Sequence, residues 1–243
     1  MKKFIVASVV ALTVVAASAR ASTTIAQWTF ESAAADSAIT NVPIPGAGVA
    51  TANVPAETDV PGGSVANGLH ATVATYSIPA GDIDLTLAPS ISTSSHSFSS
   101  NGWSIGDYYQ FKTSTLGFTG VTVGWDQTGS NTGPANFQLS YSLDGTTFTP
   151  IGSAYTLVYM SWSATTALGN NESASFAGAV DNKANVYFRI VDTSATSVNG
   201  GTVAAAGTGR VDNFTVLGVP EPSTVALVGA GLVGLLALRR RRS

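Results

Sequence analysis

Residues 137–148 read Phe-Gln-Leu-Ser-Tyr-Ser-Leu-Asp-Gly-Thr-Thr-Phe. Phe137, Leu139 and Tyr141 fall on one side of an extended chain and Gln138, Ser140 and Ser142 on the other, because strand side chains alternate with a period of two. One face is made for a core and the other for water. Between Tyr141 and Phe148, Asp144-Gly145 supplies a turn, since glycine tolerates the positive φ of a tight reversal.

The same alternation recurs upstream, where Val121, Val123 and Trp125 share one face and Thr122, Gly124 and Asp126 share the face toward water. Further strands are predicted over residues 24–30, 73–78, 108–112, 155–160, 174–180, 186–191 and 210–217. Loops rich in Gly, Ala, Ser and Pro separate them, the longest covering 31–69 and 192–209. No strong 3.6-residue periodicity competes. The predicted fold is mainly β, an antiparallel β-sandwich of jelly-roll-like topology.

Composition narrows what such a domain can do. Residues 22–217 hold four basic side chains, Lys112, Lys183, Arg189 and Arg210, against 13 acidic ones, a net charge of −9. A nucleic-acid partner is therefore excluded from the reading, because little positive charge is present to displace counterions from a phosphate backbone. Cysteine is absent, which removes thiol catalysis and Cys-ligated zinc and leaves the hydrophobic core to hold the fold.

The two ends are of a different character. Residues 1–21 open on Met1-Lys2-Lys3, continue through an apolar run over 4–17 and close on Ala19-Arg20-Ala21, the layout of a secretory signal peptide. A cut after Ala21 leaves Ser22 as the mature N-terminus, and a cut after Ala19 is the alternative. Either implies the general secretory machinery. At the other end, Val225-Ala-Leu-Val-Gly229-Ala-Gly231-Leu-Val-Gly234 contains Gly-x-Gly-x-x-Gly. A dinucleotide site needs a helix, a second strand and a ribose carboxylate after that turn. Gly234 is instead succeeded by Leu-Leu-Ala-Leu and then by Arg239, Arg240, Arg241 and Arg242. Residues 223–238 carry no charge and as a helix would rise about 24 Å, so they are predicted as a single transmembrane helix, with the four arginines anchored at cytoplasmic phosphates. Ala226, Ala230 and Gly234 recur every fourth position and would admit close approach of another membrane helix.

Val219-Pro220-Glu221-Pro222-Ser223, an apolar helix and an arginine cluster, in that order, resemble the PEP-CTERM sorting signal of Gram-negative bacteria. The resemblance covers residues 218–243 and divides the chain into a signal peptide (1–21), an exported β-sandwich (22–217) and the sorting signal. It implies an exosortase as partner, a membrane-embedded cysteine transpeptidase, with Pro220, Glu221 and Pro222 as its recognition site and the helix as a transient membrane anchor. It also implies export to the cell surface or extracellular matrix. The proline rings favour an open strand there, because they fix their own φ and push Val219 and Glu221 toward extended geometry. More weakly, Tyr108-Tyr-Gln-Phe111, Gly120-Val-Thr-Val-Gly-Trp125 and the 133–148 segment are similar to discoidin-like and carbohydrate-binding-module sandwiches. That likeness speaks for the fold and assigns no ligand.

Three readings of the exported domain stay open: a non-catalytic surface or matrix protein, a module binding extracellular polysaccharide, and a carbohydrate-active hydrolase. For glycan binding, Trp103 and Trp162 are the candidates to stack on a pyranose face, since they stand among Gly and Ser, whereas Trp28 and Trp125 carry the alternation of core residues. A hydrolase would need converging carboxylates, for which Asp82 with Asp84 and Asp107 with Asp126 are the candidate pairs. Like charges on one strand face more commonly mark a solvated face. No cofactor is implied and no metal site is assigned. A structural Ca²⁺ would find hard oxygen donors in Asp82, Asp84, Asp181, Asp192 and Asp212, but no Asp-x-Asp-x-Asp-Gly loop selects among them. His70 and His96 carry no catalytic signature.

Overall fold

The computed structural model describes residues 21–32, 54–68, 71–74, 96–158 and 171–221. Its strands are β1 (Thr23–Trp28), β2 (Val54–Pro55), β3 (Thr58–Asp59), β4 (Val65–Gly68), β5 (Ala71–Ala74), β6 (Ser97–Ser100), β7 (Tyr108–Thr113), β8 (Phe118–Gly129), β9 (Asn136–Ser142), β10 (Thr149–Pro150), β11 (Tyr155–Thr156), β12 (Asn171–Ser175), β13 (Val186–Asp192) and β14 (Gly209–Pro220). One sheet runs β12-β8-β14-β1-β3, with β6 and β5 continuing beside the start of β14; the other runs β10-β9-β13-β7-β4-β2, with β11 on β9. All pairings among the described residues are antiparallel.

Alternation builds the inner faces. In β13, Val186, Phe188 and Ile190 are buried while Tyr187, Arg189 and Val191 are half-buried on the outside. In β7, Tyr109 and Phe111 point inward between Tyr108, Gln110 and Lys112. At the centre, Phe111 of one sheet stacks on Phe214 of the other with ring centroids 3.7 Å apart and planes 2° from parallel. Trp28 meets both rings edge-on at 5.2 and 6.0 Å, and Trp125 and Phe188 close around Phe214 at 6.0 Å each. Trp28 and Trp125 thus take the core positions their alternation predicts.

Phe214 reaches the core through an irregularity. Val211, Phe214 and Val216 are all buried hydrophobics, yet a regular strand would send positions 211 and 214 to opposite faces. The register between β14 and β8 shifts between Asp212 and Thr215, and Asn213 there adopts φ 52°. One extra residue in the left-handed region resets the alternation, and asparagine tolerates that region better than most residues. The bulge also draws Asn213 Nδ2 to 2.7 Å from Asp126 Oδ2. Asp126, expected toward water, is buried for that reason.

Other differences from the sequence reading have local causes. The strand expected over 174–180 is Asn171–Ser175, because Ala177, Gly178 and Asn182 take positive φ and the chain turns at Phe176. The long loop expected over 31–69 contains β2, β3 and β4, and Ser-rich β6 went unpredicted. Of the strands expected over 73–78 and 155–160, residues 73–74 and 155–158 are described: the first two close the strand Ala71–Ala74, which starts earlier than expected, and the second strand is only Tyr155–Thr156, ending before 157. The final strand, expected to end at Leu217, continues to Pro220. Among the described residues no helix is long and apolar enough to cross a membrane; the predicted signal helix and the helix at 223–238 lie outside those residues.

Because Phe214 joins both sheets and touches four aromatic rings, Phe214→Ala should lower the unfolding free energy by about 3–5 kcal/mol in urea titrations. A loss below about 1 kcal/mol would place the sheet-to-sheet hold elsewhere.

Candidate functional site

Gly218, Val219, Pro220 and Glu221 lie where the folded domain hands over to the tail. Thr23 of β1 pairs with Gly218, the last β1 partner on β14, while β8 continues beside β14 through Val219↔Thr119 and Pro220↔Phe118. Glu221 then donates its N–H to Gly117 O at 2.8 Å. Phe118 spends its own N–H on Thr115 O and accepts from Asn182 N, so Pro220 sits opposite a residue that exchanges no ladder bond with it. A proline without an N–H is tolerated at such a position.

Two turns build the seat for this strand end. Asn182 Oδ1 accepts from Gly117 N at 2.9 Å, Thr115 Oγ1 donates to Val180 O at 2.6 Å, and Asp181 accepts from Gly120 N and Val121 N at 2.8 and 3.0 Å. Gly218 is fitted from the side: a Cβ there would lie 2.8 Å from Ile25 Cδ1 and 3.1 Å from Phe118 Cβ. Only hydrogen fits without displacement. Ala21 and Ser22 are exposed just before β1. The expected mature N-terminus and the Pro-Glu-Pro segment therefore leave the same end of one sheet. Ala19, Pro222, Ser223, Arg239, Arg240, Arg241 and Arg242 lie outside the described residues. Sequence reasoning found Val219, Pro220 and Glu221 but not Gly117, Phe118 and Asn182, which hold them.

The remaining candidates separate. Trp103, expected as an exposed stacking ring, is 7% exposed: its Nε1 donates to Ser100 O at 2.9 Å, and its ring meets Tyr109 and Phe137 edge-on at 5.1 and 5.6 Å. Its place in the core depends on Gly209, where a Cβ would lie 3.1 Å from the indole. Trp162, Asp82, Asp84 and His70 lie outside the described residues. His96 Nδ1 lies 3.3 Å from Glu31 Oε2. Asp107 lies just before β7 and Asp126 within β8 of the other sheet; both are buried, and they accept from Ser104 N and Asn213 Nδ2 respectively. Asp181 caps β8, Asp212 accepts from Asn213 N, and Asp192 lies beside Asp107. Among the described residues no group of three or more His, Cys, Asp or Glu is placed to hold a metal ion.

A cleft of about 310 Å³ opens between β9 and β12, lined by Trp125, Tyr155, Glu172, Ser173 and Ser175. Burial raises the Glu172 carboxyl above its ordinary value. Burial likewise raises the Tyr155 phenol, with Glu172 adding to the shift, and its hydroxyl donates to the buried Gln127 Oε1.

Residues 218–242 match the PEP-CTERM protein-sorting motif. No curated protein matches the chain. Solved structures similar to it include the carbohydrate-binding module TmCBM61 in complex with β-1,4-galactotriose, at 11% identity and TM-score 0.36 over 64% of this chain and 88% of that one. The K2 cleaved adhesin domain of Lys-gingipain matches at 13% identity and TM-score 0.36 over 81% and 97%. The CBM22-1–GH10 modules of a Clostridium thermocellum endo-1,4-β-D-xylanase complexed with xylohexaose match at 14% identity and TM-score 0.39 over 66% and 27%.

Asp192 yields a pH test. Its side chain is 1% exposed, and burial, with the charge of Asp107 adding, raises its pKa from 3.8 to about 6. The folded state thus holds this proton more tightly than the unfolded state, so stability from this group is full below about pH 4 and is lost as pH rises through about 6. Asp192→Asn removes the penalty: its unfolding free energy relative to wild type should rise by up to about 3 kcal/mol between pH 4 and pH 8. A difference that stays constant across that range would contradict the assignment.

Proposed function

We propose that this chain is an exported β-sandwich protein that an exosortase recognises through Pro220, Glu221 and Pro222, separates from its tail and passes to the cell surface or extracellular matrix, with no catalysis of its own. The observation that carries the proposal is the match of residues 218–242 to the PEP-CTERM sorting motif. Physical chemistry supports the topology. A basic block after an uncharged apolar run holds its end at cytoplasmic phosphates, and the preceding domain then faces the opposite side.

The motif match begins at Gly218, which is still paired with Thr23, and the ladder extends through Pro220 to the Glu221 amide. Domain and signal therefore share residues. An enzyme that cut before Val219 would remove the paired end of β14, whereas a cut beyond Glu221 would leave the sheet intact. We therefore assign the processed bond to the C-terminal side of Glu221. Both chain ends leaving one pole also lets the domain fold with its signal peptide and tail at the same membrane.

Intact-mass measurement of the full chain expressed with and without an active exosortase tests this. A released product ending at or beyond Glu221 only when the enzyme is active is expected. A chain left whole in both cells would remove the processing role, and a product ending before Val219 would remove the assigned bond.

A further inference from the structure

The outer face of the second sheet holds a cation with no counter-ion among the described residues. Arg189 is half-buried there, and its guanidinium carbon lies 3.9 Å from the ring centroid of Tyr108 and 3.7 Å from that of Phe148. Nε donates to Gln110 Oε1 at 2.7 Å, and Gln110 Nε2 donates onward to Asn67 Oδ1 at 3.4 Å. These contacts reflect the register, because Asn67, Gln110, Arg189 and Ser140 lie directly opposite one another across β4, β7, β13 and β9. Ser140 Oγ is buried on this face with no hydrogen-bond partner. Among the described residues Arg189 makes no ion pair.

Two rings close both faces of the guanidinium and fix its plane. Nε is occupied and Tyr108 also contacts the guanidinium through its hydroxyl, which leaves the N–H groups at the outer edge to form a fork. Such a fork matches a carboxylate bidentately, and its rigid seat removes much of the ordering cost of binding. Partial burial of an unpaired charge is unfavourable, so an arriving anion recovers what the fold gave up.

We propose that this face binds a carboxylate-bearing saccharide, with a uronate carboxylate on Arg189 and neighbouring hydroxyls on the amide row of Gln110 and Asn67. A peptide fits less well. β13 is flanked on both sides by β7 and β9, so it offers no open edge for a backbone ladder. The net charge of −9 on residues 22–217 also disfavours densely charged polyanions and leaves chains with sparse carboxylates as the complementary class. This site is independent of the sorting tail.

Calorimetric titration of the full chain in detergent with an aldotriouronate, a trisaccharide bearing a single uronate, its methyl ester and an acidic glutamate peptide tests the proposal. The acid should bind, with the ester at least about tenfold weaker, since the ester keeps the sugar and loses the charge. Arg189→Gln should lose a similar factor, Arg189→Lys should retain part of the binding by keeping charge without the fork, and Lys183→Gln should bind as wild type. In the wild-type protein, which requires no variant to fold, the Arg189 Nε–H resonance should move with the acid and stay fixed with the ester. Equal affinity for acid and ester, wild-type binding by Arg189→Gln, an unmoved resonance, or tighter binding of the peptide would each overturn it.

Discussion

The stack of Phe214 on Phe111 is the constraint that organises this molecule. It is a contact between sheets, so it forms only if β14 and β7 present their rings at the same depth and the same face. Regular alternation along β14 forbids that once Val211 is also turned inward. The extra residue at Asn213 resolves the conflict, and the left-handed backbone there brings the Asn213 amide against Asp126. A polar bulge thus serves an apolar contact. With no disulfide available, the aromatic cluster around Phe214 carries the sheet-to-sheet hold.

β14 also carries that order outward. Six residues beyond Phe214 the strand is still paired at Pro220, and the Glu221 amide is bonded to Gly117. No spacer separates the core from the sorting motif. The tail's first residues inherit their geometry from the sheet, with Gly218 small enough to pass between Ile25 and Phe118. An extended backbone at Val219 and Pro220, which proline sterics favour, is thereby fixed by neighbours. This is why the same strand bears on both stability and the proposed processing.

Much of this was legible beforehand. The alternation at 137–141 and 186–191 gave β9 and β13 within a residue, because their inner and outer faces differ sharply in polarity. The sorting motif was readable because its parts are contiguous. What escaped notice depends on partners distant in sequence. Asn182 and Gly117 hold the motif from 39 and 104 residues before Glu221, and neither has a chemical signature of its own. Trp103 stands among small polar residues and reads as exposed, yet the bare Cα of Gly209 leaves room for its indole inside. Asp126 reads as solvated because a period of two does not anticipate a bulge on the partner strand. Arg189 was visible only as one of four basic residues, and its stacking partners come from β7 and from the end of a hairpin at Phe148.

Continuity of the folded core into the sorting motif is the central claim, and native-state hydrogen exchange at the Glu221 amide tests it most directly. The account predicts slow exchange that tracks the core amides of β14 and becomes fast in Gly218→Val, where the new side chain must displace Ile25 or Phe118. Exchange of the wild-type Glu221 amide at the rate of an unstructured peptide would contradict it.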